Sequence, residues 1–359
     1  MDRELDAMGM LDLMISPCFC VRNQKIVKCN AAAQGILIRE GMDILPLLAT
    51  GQTEYEEFSG GCLYLTLEIS GVRMGASVTR VGDFDVFLPE EEGEQAELQS
   101  IALAAQELRG PLTGIMATAE RLFPMANQQE DPALREQVAR MNRGLYQMLR
   151  IIGNMSDACR YSATPAARME TVEISEFFRE IFDRSQELMS HAGITLRFEN
   201  LPHSLHMLVD SEKLERAANN MLSNALKFTP KGGTVEASLT RRGNMLYLTM
   251  QDSGSGTPAE LRGNLFNRFL RQPGIEDTRH GIGLGMVLIR SVASMHGGTV
   301  LLEQTANGGL RLTMSMAIRQ NADTFVRNNS LRVDYAGERD HALIELSECL
   351  PASLYAKEK

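Results

Sequence analysis

Two glycine clusters flank one aspartate in the stretch from Gln251 to Met286, QDSGSGTPAELRGNLFNRFLRQPGIEDTRHGIGLGM, and this stretch restricts the fold more than any other. An alternating run through Met245, Tyr247 and Thr249 predicts a strand that delivers Asp252 at its end. Gly254 and Gly256 follow at once, and Gly281, Gly283 and Gly285, with Leu284 among them, open an apolar helix. Without a Cβ, backbone N–H groups there can approach a ligand closely. At a helix start such groups favour phosphate. An aspartate beside them can accept a hydrogen bond from an amino group such as that of adenine.

A third element lies upstream. In Asn219-Asn220-Met221-Leu222-Ser223-Asn224-Ala225-Leu226-Lys227-Phe228-Thr229-Pro230, helical spacing puts Asn220, Asn224 and Lys227 on one face. An amide oxygen suits Mg²⁺ and an ammonium suits phosphate. Taken together, the asparagine helix, the DxGxG loop, a segment with Phe266 and Phe269, and the GxGLG cluster resemble the ATP-binding domain of sensor histidine kinases. That resemblance implies a GHKL (Bergerat) α/β sandwich over residues 171–319. It also implies ATP held by Asn220, Asn224, Lys227, Asp252, Gly254, Gly256, Gly281, Gly283, Leu284 and Gly285, with Mg²⁺ on Asn224. Related gyrase-like ATPases carry a glutamate four residues before the magnesium asparagine, where this chain has Asn220. A neutral amide is no base for water, so efficient ATP hydrolysis is not expected.

The net charge of −10 argues against nucleic acid as the main partner. Six scattered cysteines show neither zinc spacing nor a secreted disulfide framework. No run of 18 apolar residues and no signal peptide stand out, which predicts a cytoplasmic protein without membrane insertion.

Residues 1–88 predict a small α+β domain. A helix over Leu5–Leu13 precedes strands near Cys18–Val21 and Ile26–Asn30, joined by a turn at Arg22–Lys25, and then a helix over Ala31–Arg39. Strands over Leu63–Ile69, Met74–Val81 and Phe84–Leu88 close a meander through Gly71 and Gly82. The pattern resembles a PAS domain, although other small α+β folds share it. Cys18, Cys20, Cys29 and Cys62 fall here, either as buried small hydrophobes or as a redox or metal site.

Residues 89–165 begin with an acidic linker. Leu98, Ile101, Ala105, Leu108, Leu112, Ile115, Ala119 and Leu122 then alternate spacings of three and four. A loop over Pro124–Pro132 leads to Leu134, Val138, Met141, Leu145, Met148, Ile152, Met155 and Cys159 in the same rhythm. Two such helices form an antiparallel hairpin, and two hairpins make a dimeric four-helix bundle; a monomeric hairpin packed on another domain is the alternative.

The hairpin is similar to the dimerisation and phospho-acceptor (HisKA-like) domain of the same family, whose pattern is H-E-x-x-[TN]-P-L. The string here is Gln106-Glu107-Leu108-Arg109-Gly110-Pro111-Leu112. The resemblance puts Gln106 where the acceptor histidine belongs and Gly110 where a threonine or asparagine positions water for phosphatase chemistry. An amide nitrogen is delocalised into its carbonyl and is no useful nucleophile. None of His191, His203, His206, His280, His296 and His341 lies in the hairpin, so Glu107 has no imidazole to serve.

The whole is therefore expected to be an α+β multidomain chain that binds Mg·ATP and does not phosphorylate itself at the usual position. It would signal by conformation or by phosphorylating an intact histidine kinase, as homodimer or heterodimer, with a response regulator as a further partner. The alternative is a non-catalytic, ATP-gated interaction module. Residues 320–359 form a C-terminal extension, with a docking helix predicted over Glu338–Leu350.

Overall fold

The computed structural model describes residues 11, 14–90, 94–127, 131–162, 168–254, 256, 284–306, 308–320 and 339–356. The N-terminal helix expected over Leu5–Leu13 lies outside them, apart from Leu11. Strands β1 (Phe19–Arg22) and β2 (Lys25–Cys29) are joined by Asn23 and Gln24, both at positive φ (50° and 63°). Two left-handed residues are what a tight antiparallel hairpin needs.

Helix α1 (Ala31–Gly35) starts on the Asn30 side chain, which accepts from the Ala33 N–H at 2.9 Å. It stops four residues short of the expected Arg39. Leu37 turns left-handed (φ 69°), and the Ile38 N–H returns to the Ala33 carbonyl, which caps the helix and buries Ile38. Helix α2 (Gln52–Glu56) follows, and then β3 (Cys62–Ile69), β4 (Val72–Val81) and β5 (Phe84–Pro89). These five strands lie in the order β2-β1-β5-β4-β3, all antiparallel.

Helices α3 (Glu94–Asn127) and α4 (Pro132–Ser162) form the hairpin. The loop expected from Pro124 is shorter, because α3 continues through Pro111 and Pro124 to Asn127. Proline's fixed φ is compatible with a helix, although each interior proline gives up one hydrogen bond and crowds the carbonyl four residues back, at about 3 kcal/mol. Among the described residues, only alternate seam positions are buried within the chain. Ala105, Leu112 and Ala119 pack against Val138, Leu145 and Ile152, whereas Leu108, Ile115, Leu122, Met141 and Met148 stay exposed.

Strand β6 (Glu170–Glu173), which sequence periodicity does not reveal, pairs with β8 (His206–Val209). Between them run α5 (Ile174–His191) and β7 (Thr195–Glu199). Helix α6 (Ser211–Phe228), β9 (Thr234–Arg242), β10 (Met245–Asp252), α7 (Leu284–Met295), β11 (Val300–Gln304) and β12 (Leu310–Ala317) complete the domain. Val235, Ala237 and Leu239 of β9, with Leu246, Leu248 and Met250 of β10, face the helices, while their neighbours are less buried. One sheet face is therefore covered by α5, α6 and α7.

The N-terminal sheet does not stand apart from this one. Strand β3 pairs with β11 in the register Tyr64–Val300, Leu63–Leu301 and Cys62–Leu302, which makes a single ten-stranded sheet. Around that seam Thr66 Oγ1 lies 2.8 Å from Ser294 Oγ of α7, and the Arg290 guanidinium reaches Glu90 at 2.6 Å and covers the Tyr64 ring. The C-terminal segment docks as expected, through a shorter helix, α8 (His341–Glu345). Ile344 enters the hairpin core, and Ala342, Leu346, Leu350 and Tyr355 enter the core under the sheet. Among the described residues no helix is long and apolar enough to cross a membrane.

Candidate functional site

The site is assembled where α6, the end of β10 and the start of α7 meet. Asp210 caps α6, its carboxylate accepting from the Lys213 N–H at 3.2 Å. From there Leu214 to Ser223 are all buried, Asn219 and Asn220 included. Asn220 Nδ2 donates to the Arg216 carbonyl at 2.9 Å, but the Oδ1 atoms of Asn219 and Asn220 have no hydrogen-bond partner among the described residues. A buried amide oxygen without a donor costs about 1–3 kcal/mol unless something else supplies one. Asn224, one turn on, is half-buried, and Lys227, two turns on, is nearly buried.

Strand β10 puts Asp252 in the same phase as the core residues Leu246, Leu248 and Met250. The sequence reading relied on Met245, Tyr247 and Thr249, which prove to be the less buried phase. Asp252 is thus a carboxylate at the end of an apolar row. Burial pushes its pKa up, and hydrogen bonds from backbone N–H groups, Gly254 among them at 2.8 Å, oppose the rise.

Two glycines let the pieces close up. A Cβ on Gly254 would lie 2.3 Å from the Phe228 carbonyl at the end of α6, and one on Gly285 would lie 2.9 Å from Asn220 Oδ1. Leu284 is buried in the same core, and Gly256 is half-buried at φ 71°. Gly281 and Gly283, and Phe266 and Phe269, lie outside the described residues. Gly309, in the β11–β12 turn, went unnoticed in the sequence: a Cβ there would lie 1.9 Å from the Asp252 carbonyl oxygen.

These residues fit an adenine nucleotide. They offer a buried carboxylate for an amino group, orphaned amide oxygens on the facing helix, and backbone that can come close. At the other end of α6, Lys227 Nζ lies 3.3 Å from the Glu348 carboxylate, and burial lowers its pKa. Sequence periodicity gave no sign of that contact, which spans 121 residues.

On the hairpin, Gln106, Glu107 and Gly110 are exposed on one face of an unbroken helix. Apart from its own stretch of helix, nothing among the described residues lies within 4 Å of where a Gly110 Cβ would be. The cysteine alternative weakens. Cys18, Cys20, Cys29 and Cys62 are buried, and burial pushes Cys18 and Cys62 up to about 12 and Cys20 to about 11, so little thiolate forms.

Comparison with known proteins decides the family. Residues 96–161 match the His Kinase A (phospho-acceptor) domain, and residues 209–320 match the histidine kinase-, DNA gyrase B- and HSP90-like ATPase family. Over these two segments the chain is a homologue of the histidine kinases. Among its relatives, the sensor histidine kinase TmoS of Ectopseudomonas mendocina is 29% identical over 243 residues, covering 66% of this chain and 25% of that one. The signal transduction histidine-protein kinase/phosphatase MprB of Mycolicibacterium vanbaalenii is 32% identical over 226 residues, covering 61% and 45%. This histidine kinase homologue thus spans less than half the length of either relative. Full-length ShkA in complex with AMPPNP, a solved structure, is 22% identical, with a TM-score of 0.49, over 63% of this chain and 47% of that one.

Proposed function

We propose that this chain is a sensor histidine kinase homologue that binds Mg·ATP and does not phosphorylate itself at the usual position. Asp252 would take the adenine amino group. Asn220, Asn224 and the backbone at Gly254, Gly256, Gly281, Gly283, Leu284 and Gly285 would hold the nucleotide, and Lys227 its phosphates. The Asn224 amide oxygen suits Mg²⁺, which when bound neutralises phosphate charge. Residues 1–88, whose two-stranded hairpin and meander lie in one antiparallel sheet, suit a PAS-like sensor. Residues 89–165 suit a dimerisation hairpin whose exposed row from Leu108 to Leu122 meets a second copy or an intact kinase. A response regulator is the further partner in this reading, and the cytoplasm the compartment.

One observation carries the proposal: Gln106, a residue with no nucleophilic nitrogen, is exposed on a continuous helix, and the family's sequence pattern would put the acceptor histidine at that position. The test is labelled phosphate from γ-labelled ATP. Wild type alone should stay unlabelled, and Gln106→His should gain acid-labile label, because phosphoryl transfer needs positioning more than covalent help from the protein. The double change with Gly110→Thr covers misplacement by the Gly110-Pro111 pair, since about 1 Å can cost ~10²-fold in rate. Acid-labile label on the wild type would refute the proposal. Label on an added acceptor hairpin, with none on the chain itself, selects the kinase acting in trans. If neither variant takes label while ATP still binds, the conformational module replaces it. A specific feature favours that second reading: the C-terminal segment ties the hairpin to the ATP-binding domain through buried ion pairs.

A further inference from the structure

Residues 339–356 lie beyond both matched families and between the two domains those families cover. Glu345 is fully buried. Its carboxylate lies 2.6 Å from the Arg216 guanidinium of α6 and 3.4 Å from that of Arg150 of α4. Arg143 donates to the carbonyls of Ser347 and Glu348 at 2.9 and 2.6 Å, and Gln147 donates to that of Ser347 at 3.1 Å. Buried carboxylates and backbone carbonyls are costly to desolvate, so these partners fix the segment in one register. That register delivers one more carboxylate, Glu348, which reaches Arg150 at 2.8 Å and Lys227 at 3.3 Å. The Lys227 side chain is left only 10% exposed.

Lys227 is the cation on the asparagine face of α6, three residues after Asn224. An ammonium already paired with a carboxylate, and nearly closed off from solvent, is not free to meet a polyphosphate. We propose that Glu348 is a built-in competitor for the nucleotide's phosphates, so that the C-terminal segment holds the ATP site shut at its phosphate end and phosphate displaces it. This rests on the nucleotide reading of the site given above. A competitor of this kind lowers apparent affinity by the fraction of time the segment is seated. Its cost falls on ligands that carry phosphate and not on those that carry only the base. By linkage, a bound nucleotide loosens the segment as much as the segment weakens the nucleotide. Loosening it would remove ties that hold α4 against α6.

The test uses the full chain. Calorimetry with Mg·ATP and with adenosine is run on the wild type and on Glu348→Gln, which keeps the shape and removes the charge. ATP should bind Glu348→Gln about tenfold more tightly, with adenosine unchanged. Hydrogen exchange on the wild type is the second measurement, and it serves if the variant proves less stable. Amides of residues 341–350 should exchange faster with saturating ATP and not with adenosine. Equal ATP affinity in the two proteins, with exchange unaltered, would mean that the segment is only glue, and would overturn the competitor while leaving the nucleotide site intact. If neither protein binds ATP or adenosine, the nucleotide reading fails and the competitor goes with it.

Discussion

Helices α6 and α3 are both long and amphipathic, and each breaks the usual rule of burial in the opposite sense. In α6 the anomaly is polar groups inside: Asn219 and Asn220 sit in the core with an amide oxygen each left over. In α3 it is apolar groups outside, with Leu108 51% exposed while Leu112, four residues on, is 2% exposed. Exposed leucines are common, and a row of them at heptad spacing is not. A buried polar group without a partner points to a small ligand, and an uncovered apolar row points to a large one. The same chain thus marks two sites by two different kinds of unsatisfied surface.

The largest effect should come from the pair that separates inner and outer rows of α3. Leu112→Asp puts a charge into the hairpin's own core and should cost at least about 3 kcal/mol, seen as loss of the thermal transition of the hairpin. Leu108→Asp should leave the folded monomer nearly as stable and abolish the dimer in light scattering at micromolar concentration. A wild type already monomeric there would break the α3 half of the comparison.

Next comes Asp252→Ala. Removing the buried acceptor should weaken ATP binding in calorimetry by about 1–3 kcal/mol, roughly 5- to 150-fold. Unchanged affinity would move the adenine end elsewhere.

Asn220→Ala sharpens the α6 half. The amide gives up one hydrogen bond to Arg216 and removes an orphaned oxygen, so the melting temperature should shift little. ATP affinity should nonetheless fall, by about tenfold if the oxygen is worth one charge-assisted contact. A large loss of stability with no loss of affinity would make Asn220 a structural residue.

The smallest effect is acid sensitivity at the foot of α7. The Asp210 N–H donates to His296 Nε2 at 3.2 Å, so Nδ1 carries the proton that reaches the Val292 carbonyl at 2.8 Å. Burial lowers the pKa of His296 below the ordinary histidine value. The unfolded chain therefore binds the proton more readily. This contribution to stability is complete above pH ~6.5 and is lost as pH falls below it. Melting temperature should drop between pH 7.5 and 5.5, and His296→Gln should drop less; equal slopes would exclude this histidine as the cause.

Much of this was legible in the residues. Helices α6 and α7 coincide with the runs that periodicity marked, because the Asp210 cap of α6 and the apolar spacing of both are local. Asp252 and Gly254 were found through a motif whose geometry is also local, an aspartate accepting from the N–H two residues on. What escaped notice depends on distant pairing. Strand β6 has four residues and is specified by β8. Gly309 matters only because the β11–β12 turn touches Asp252. Glu348 meets Lys227 only after the chain has passed through the whole ATP-binding domain. The continuity of β3 with β11 is likewise invisible in either strand alone, since it depends on which distant strand each one meets.

That continuity limits how movement at the N terminus can be reported to the rest of the molecule. Strand pairing has a period of two residues, and a slip by one exchanges the faces of every side chain. Tyr64 and Cys62 lie in the core under the ATP-binding sheet, while Leu63 faces the N-terminal core, so a one-residue slip would turn all three over at once. A change of register at this junction is therefore all-or-none, with no graded position in between.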